Sequence, residues 1–312
     1  MKKFTVLMAV LLAVLAFCAC EGGEEEKFEG PTDSVDTVVL DNTVAISGIN
    51  SRYALLTKVD GLKAVASKNA SEVMYPASMT KVMTFIAAYE NAESLDAKTA
   101  ITREMKNKYP GASRTGIGVG DILTTEQLMY ALLLESDTDS ALALAEYVAG
   151  SEEEFVKLMN KKCEELGLKS TKFANVTGLH HEEHYTTAEE MTLIFAYALK
   201  NPLFRKIITT DVYQTYLGYY NNGVLDEYRM TFKNTTISAD KGRFAKNDVS
   251  LTFGEGGKIL GGKTGYTDEA EYCLALLVSD GNGEEYILIT AKSASHKNSA
   301  FDSIYVCRNY IN

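Results

Sequence analysis

Apolar positions follow two rhythms along this chain, and the switch between them divides it. Val82, Phe85, Ile86 and Tyr89 recur at helical spacing, which predicts a buried central helix. Capping boxes predict three more helix starts, Thr124 with Gln127, Ser151 with Glu154 and Thr187 with Glu190. The first of these helices runs to about Leu134, Ser136-Asp137-Thr138 interrupts, and a further helix covers about Ser140 to Val148. Gly167 ends the helix begun at Ser151, and the one begun at Thr187 stops before Pro202. Residues 102 to 121 read as loop, broken by Tyr109-Pro110-Gly111 and by Gly116, Gly118 and Gly120.

Short apolar runs bounded by turn signals flank this helical block. Tyr53 to Val59 and Leu62 to Ala66 surround Asp60-Gly61, a hairpin signal. From Asp211 the chain turns to Tyr, Thr and Val, read as strands or long loops. Ile259 to Tyr266, Tyr272 to Ser279 and Tyr286 to Ala291 read as strands, with a tight turn at Asp280-Gly281-Asn282-Gly283, and Ser299 to Tyr310 as a closing helix. The expected class is α/β in the α+β sense. Strands from both chain ends share one antiparallel sheet flanked by helices, an all-helical lobe is inserted, and a cleft lies between.

The N-terminus has a different character. Lys2 and Lys3 precede an apolar run from Phe4 to Phe17, too short for a comfortable membrane span and followed by Ala19-Cys20. Residues 1–20 therefore read as an export signal of lipoprotein type, with Cys20 as the lipidated residue and plain secretory cleavage near Ala19 as the alternative. Residues 21–45, acidic with Gly, Pro and Ser, read as a flexible tether, and 46–312 as the folded domain.

Composition narrows the choice of chemistry. The 312 residues are 46% hydrophobic and 23% charged, a globular profile. The net charge of −11 leaves no basic excess for phosphates, so a nucleic-acid partner is not expected. Cys163, Cys273 and Cys307 are widely spaced and read as buried free thiols, without metal-ligand spacing. His180, His181 and His184 cluster, and read as structural or rim residues rather than metal ligands. Glu152 to Glu154 read as a solvated face complementing a helix N-terminus, and Tyr219-Tyr220 as packing residues, with the cleft rim as the alternative.

Pro76-Ala77-Ser78-Met79-Thr80-Lys81 reads as the first turn of the central helix, with Ser78 and Lys81 on one face. A serine hydroxyl needs a base within hydrogen-bond reach, and a buried lysine kept neutral can be that base. Two further stretches fall in order after it: Ser136-Asp137-Thr138 in a break between helices, and Lys263-Thr264-Gly265 on a strand after a glycine-rich approach.

Together with Asn175 to His180, His184-Tyr185-Thr186-Thr187-Ala188-Glu189 and Gly261 to Thr267, these stretches resemble those of the serine D-Ala-D-Ala carboxypeptidases, the low-molecular-weight penicillin-binding proteins of peptidase family S11. The likeness covers roughly residues 50 to 312. It implies a β-lactamase/transpeptidase-like fold and removal of the terminal D-alanine from peptidoglycan stem peptides through a Ser78 acyl-enzyme, with β-lactams as acylating inhibitors. It implies Lys81 as base and Ser136 as proton relay to the leaving amine. Lys263, Thr264, Gly265 and Thr138 are implied on the substrate side, with Lys263 also keeping Lys81 neutral. Backbone N–H groups of Ser78 and Tyr266 are implied as oxyanion hole, with no metal or organic cofactor. The implied place of action is the extracytoplasmic face of the membrane, held by the lipid on Cys20, or the cell wall. Relatives with an extra C-terminal β-rich domain continue past the position of Asn312, so that domain is expected to be missing.

Rival readings are a non-catalytic peptidoglycan-binding or β-lactam-sensing lipoprotein, a D,D-endopeptidase, and a β-lactamase. The last is disfavoured because no Glu-x-x-Leu-Asn segment is present. One residue departs from the pattern, since Thr138 stands where the family usually has Asn and offers one hydroxyl instead of an amide donor and acceptor. Thr138→Asn is expected to raise the rate of D-alanine release. An unchanged or lower rate would show that Thr138 does not limit the site.

Overall fold

The computed structural model describes residues 37–311. The expected signal segment, Cys20 and most of the expected tether lie outside the described residues. The elements, in chain order, begin with strands β1 (Val44–Ala45), β2 (Tyr53–Lys58) and β3 (Ala64–Lys68). Helix α1 (Lys81–Asn91), strand β4 (Lys98–Ala100), helix α2 (Arg103–Lys108) and strand β5 (Ile122–Thr124) follow. Then come helices α3 (Thr125–Leu134), α4 (Thr138–Ala149), α5 (Glu152–Glu165), α6 (Ala188–Leu199) and α7 (Pro202–Thr209). Strands β6 (Val212–Asn221), β7 (Val224–Lys233), β8 (Thr252–Phe253), β9 (Gly257–Thr267), β10 (Glu271–Ser279) and β11 (Glu285–Ser293) precede the last helix, α8 (His296–Tyr310).

Strands from both chain ends do share one sheet, in the order β1-β3-β2-β11-β10-β9-β8, antiparallel except for the parallel β1–β3 pair. Its central strands are apolar on both faces because helices cover both. Leu274, Leu276, Val278 and Leu288 meet Ile304, Val306 and Cys307 of α8 on one side. Ala275, Leu277, Ile287 and Ile289 belong to the larger core on the other side. There α1 is buried from Lys81 to Ala88, surrounded by α3, α4, α5 and α6, as an all-round apolar helix must be. Asp302 on α8 ties the two chain ends together by accepting from the Ser51 amide and hydroxyl, both at 2.6 Å, and from the Asn50 amide.

Several expectations need correction. The tether ends sooner than residue 45, because Val39 bridges Lys63 and β1 pairs with Ala66 and Ser67. The 102–121 stretch contains α2, capped by the Thr102 hydroxyl on the Met105 amide. It buries only Met105 and so carries no apolar period. Pro202 starts a helix as well as ending one, since Asn201 caps the amides of Leu203 and Phe204 and proline fits the first turn. α8 begins at His296, earlier than Ser299, capped by Ser295. Glu152 is buried, where it accepts from the Val176 amide and the Tyr109 hydroxyl and pairs with Lys108. Tyr220 is exposed on the β6–β7 hairpin rather than packed.

Candidate active site

Ser78 does not sit in an α-helix. Ala77–Thr80 form a turn of 3-10 helix entered through Ala77 at φ +47°, and α1 begins only at Lys81. In a 3-10 turn residues three apart eclipse. The Lys81 Nζ therefore lies 3.2 Å from Ser78 Oγ, and it donates a second bond to the Thr177 carbonyl at 2.6 Å.

Lys81 is buried, and burial pushes its pKa from the usual lysine value down to about 7, against the opposing charge of Asp137. Burial is the largest cause, and Lys81 in turn disfavours the charged form of Lys263. A neutral amine has two hydrogens and one lone pair. With one hydrogen on Thr177, the lone pair is free to take a proton from Ser78.

The Thr177 carbonyl is aimed by the turn around it. Asn175 Oδ1 accepts from the amides of Thr177 and Gly178 and from the Thr177 hydroxyl, while its Nδ2 donates to Leu179 O. Gly178 has φ +84°, and a Cβ there would lie 1.9 Å from Ala77 O. The segment 175–178 thus packs backbone to backbone against the Ser78 turn. Below it, the ring of buried His184 accepts from the Ala174 amide at Nδ1, so Nε2–H donates to Thr80 Oγ1 at 2.7 Å. Burial holds this histidine neutral, its pKa near 3. The role is structural, as the sequence suggests; Thr177 had no assigned role there, although the Asn-x-Thr-Gly spacing signals such a turn.

Strand β9 closes the other side. A Cβ on Gly265 would come within 3.1 Å of Pro76 O and 3.2 Å of Ser78 N, so its backbone runs directly past the serine amide. Gly261 and Gly262 let the same strand pass close to Ile208 and Ala275, their Cβ positions lying 2.0 and 2.2 Å from those carbonyls. Thr264 Oγ1 meets Thr235 Oγ1 at 3.0 Å.

A cleft of about 620 Å³, open to solvent, is lined by Ser78, Ser136, Thr264, Gly265 and Tyr266, all anticipated, and also by Ser113, Thr235 and Arg243, which were not. Ser136 has φ +61°, and its hydroxyl is buried without a hydrogen-bond partner. A strained backbone that aims an unpaired hydroxyl into a cleft is suited to handling a proton. The break holding it is pinned by Asp137, which caps Ser140 and accepts from the Thr115 amide, and by Asp139, which pairs with Lys106 and Arg114.

Two anticipated residues are buried, as Lys81 is. Lys263 is fully buried and donates to Thr264 O at 2.8 Å. Its pKa is driven well below the ordinary value by burial and then by Lys81 and Arg243. Thr138 is buried too, its amide donating to Ser113 O.

Comparison with known proteins agrees with this geometry. The family model of peptidase S11, described as D-alanyl-D-alanine carboxypeptidase, matches residues 41–291. The D-alanyl-D-alanine carboxypeptidase DacF of Bacillus subtilis is 33% identical over 254 residues, covering 80% of this chain and 59% of that protein. The D-alanyl-D-alanine carboxypeptidase of Streptomyces strain K15 is 31% identical, covering 65% of this chain and 68% of its own length. The crystal structure of the Streptomyces K15 DD-transpeptidase superposes with a TM-score of 0.72 at 27% identity, over 82% of this chain and 95% of that one. The chain thus spans less than two thirds of the Bacillus protein.

Gly178→Ala tests the backbone contact that aims Thr177. It is expected to lower stability by roughly 2–4 kcal/mol through a positive φ and a backbone clash. Acylation of Ser78 by a penicillin is expected to slow by more than tenfold in the fraction that stays folded. Denaturant melts and labelling rates read the two effects, and wild-type behaviour in both would refute the packing argument.

Proposed function

The chain belongs to the D-alanyl-D-alanine carboxypeptidase family, and from that premise we propose that it is an exported serine carboxypeptidase which removes the terminal D-alanine from peptidoglycan stem peptides. The observation that carries the reading is the contact of the buried Lys81 amine with Ser78 Oγ. As Ser78 Oγ bonds to the carbonyl carbon of the penultimate D-alanine, its proton passes to Lys81 Nζ. The backbone N–H groups of Ser78 and Tyr266 receive the oxyanion. The tetrahedral adduct then collapses, the C–N bond breaks, and the leaving amine takes a proton from Lys81 through the Ser136 hydroxyl. Water, activated by Lys81 once neutral again, attacks the ester and frees Ser78.

A β-lactam enters by the same attack, but its amine remains tethered after ring opening. Relatives of this chain bear carboxypeptidase, endopeptidase and transpeptidase names. All three activities fit one acyl-enzyme and differ in the peptide that forms it or in the nucleophile that resolves it. The solvent-open cleft of this chain favours water. Export follows from residues 1–20, and a lipid on Cys20 would hold the enzyme at the outer face of the membrane.

Full-length protein incubated with a labelled penicillin is expected to retain label at Ser78, to release D-alanine from a peptide ending in D-Ala-D-Ala, and to do neither as Ser78→Ala. Rapid penicillin turnover would instead identify a β-lactamase, and labelling without release a sensor. Because only neutral Lys81 can accept the proton, kcat/KM for release should climb as pH rises through about 7 and level off above it. A profile flat across that range would exclude Lys81 as the base.

A further inference from the structure

A second pocket, of about 530 Å³, takes no part in the Ser78 chemistry. It is lined by Tyr53, Tyr75, Tyr185, Glu182, Glu269 and Lys292 among others, and it shares no lining residue with the cleft. Its walls nonetheless lead off from the active site. Tyr75 stands three residues before Ser78, and Glu269 three residues after Tyr266. His180, three residues after Thr177, joins these two walls. Its ring meets that of Tyr75 edge-on, 4.7 Å between centroids, and its Nδ1 lies 3.9 Å from Glu269. Three residues of chain span at most about 11 Å, so the pocket adjoins the Ser78 turn.

A break in the sheet puts Lys292 there. Between Tyr272 and Leu274 the β10–β11 register slips by one residue, so Ala291 and Lys292 together face Cys273, and Lys292 takes φ +52°. A bulge of this kind re-aims one side chain. It turns Lys292 out of the strand between Ala291 and Ser293, both of which are buried. Left-handed backbone is rare for a lysine and persists only where its surroundings impose it. Among the described residues Lys292 and Glu182 form no ion pair, and Glu269 has only the histidine. Opposite charges thus line one pocket without reaching each other. A ligand of one sign would attract part of this lining and repel the rest, whereas a small zwitterion satisfies both.

The reaction fixes which part of a substrate comes near. The leaving amine meets Ser136, at the Thr264 end of the cleft, because the Thr235 hydroxyl bonds both Leu134 O and the Thr264 hydroxyl. The acyl half of the peptide therefore runs the other way along β9, past Tyr266 toward Glu269. We propose that the pocket receives the side chain of the residue just before the two D-alanines, and that it selects one ending in both an ammonium and a carboxylate, as in a diamino dicarboxylic acid. Glu182 and Glu269 take the ammonium, Lys292 takes the carboxylate, and the tyrosines pack along the methylenes. This deepens the functional reading above and rests on it.

The test uses four acylated peptides X-D-Ala-D-Ala that differ only in the side chain of X: 2,6-diaminopimelate with both charges, lysine with the ammonium, 2-aminopimelate with the carboxylate, and norleucine with neither. D-Alanine release is measured with full-length wild type, Lys292→Gln and the double variant Glu182→Gln/Glu269→Gln. Wild type should prefer the diaminopimelate peptide to the norleucine one by roughly tenfold in kcat/KM, as two partly solvated charge pairs supply, with the singly charged peptides below it. Lys292→Gln should bring the diaminopimelate peptide down to the level of the lysine peptide, and the double variant to that of the aminopimelate peptide. Both variants should leave the norleucine peptide unchanged. Four equal wild-type values, a lysine peptide as good as the diaminopimelate one, or parallel losses on all four peptides in the variants would overturn the assignment. Should Lys292→Gln fail to fold, the wild-type ranking and the double variant decide by the same criteria. No release by wild type from any of the four is a different pattern, which would remove the functional reading and this one together.

Discussion

Everything in the cleft depends on keeping one lysine out of water. The depression of Lys81 from 10.5 to about 7 corresponds to roughly 5 kcal/mol withdrawn from the charged form. The chain achieves this by burying α1 among four other helices and by lowering a carbonyl, Thr177, onto the amine from a separate loop. The two devices have opposite electrical effects. Burial discourages the ammonium, whereas the carbonyl and Asp137 tolerate it, so the amine can take up a proton and lose it again near neutral pH.

That balance explains why backbone, more than side chains, lines the inner site. Gly178 and Gly265 allow two segments to touch the Ala77–Thr80 turn directly, and substitution at either position would push a wall outward. His184 props the turn from below as a neutral hydrogen-bonding ring. Cations elsewhere in the site follow the same logic of burial with directed bonds. Lys263, packed near Lys81 and Arg243, is discouraged from carrying charge, while Arg243 keeps its own with a pKa still near 10. Arg243 thus keeps its charge near two buried amines whose charged forms are disfavoured, within a chain whose net charge is −11.

Local chemistry was legible wherever one segment determined it. The capping boxes at Thr124 and the caps at Ser151 and Thr187 start helices as their spacing predicts. The three central strands carry continuous apolar runs, and the Asp280 carboxylate closes their connecting turn. Two short helices escaped notice: α2 buries only Met105, and in α7 Phe204, Ile207 and Ile208 recur at helical spacing but over only about two turns. The nature of the Ser78 turn escaped too, since three-residue spacing fits α and 3-10 geometry alike.

By itself, then, the sequence determined the order of the elements, the pairing of Ser78 with Lys81 and the stretches that would converge on them, because each is encoded within a few residues of itself. The tertiary structure alone decided which of those side chains reach the cleft. Lys263 and Thr138 turned out to be buried, as Lys81 is, while Thr177, from a segment roughly a hundred residues away, supplies the carbonyl on the base and Arg243 lines the cleft. Burial and approach between distant segments set solvation and hydrogen bonding, and no spacing along the chain records them.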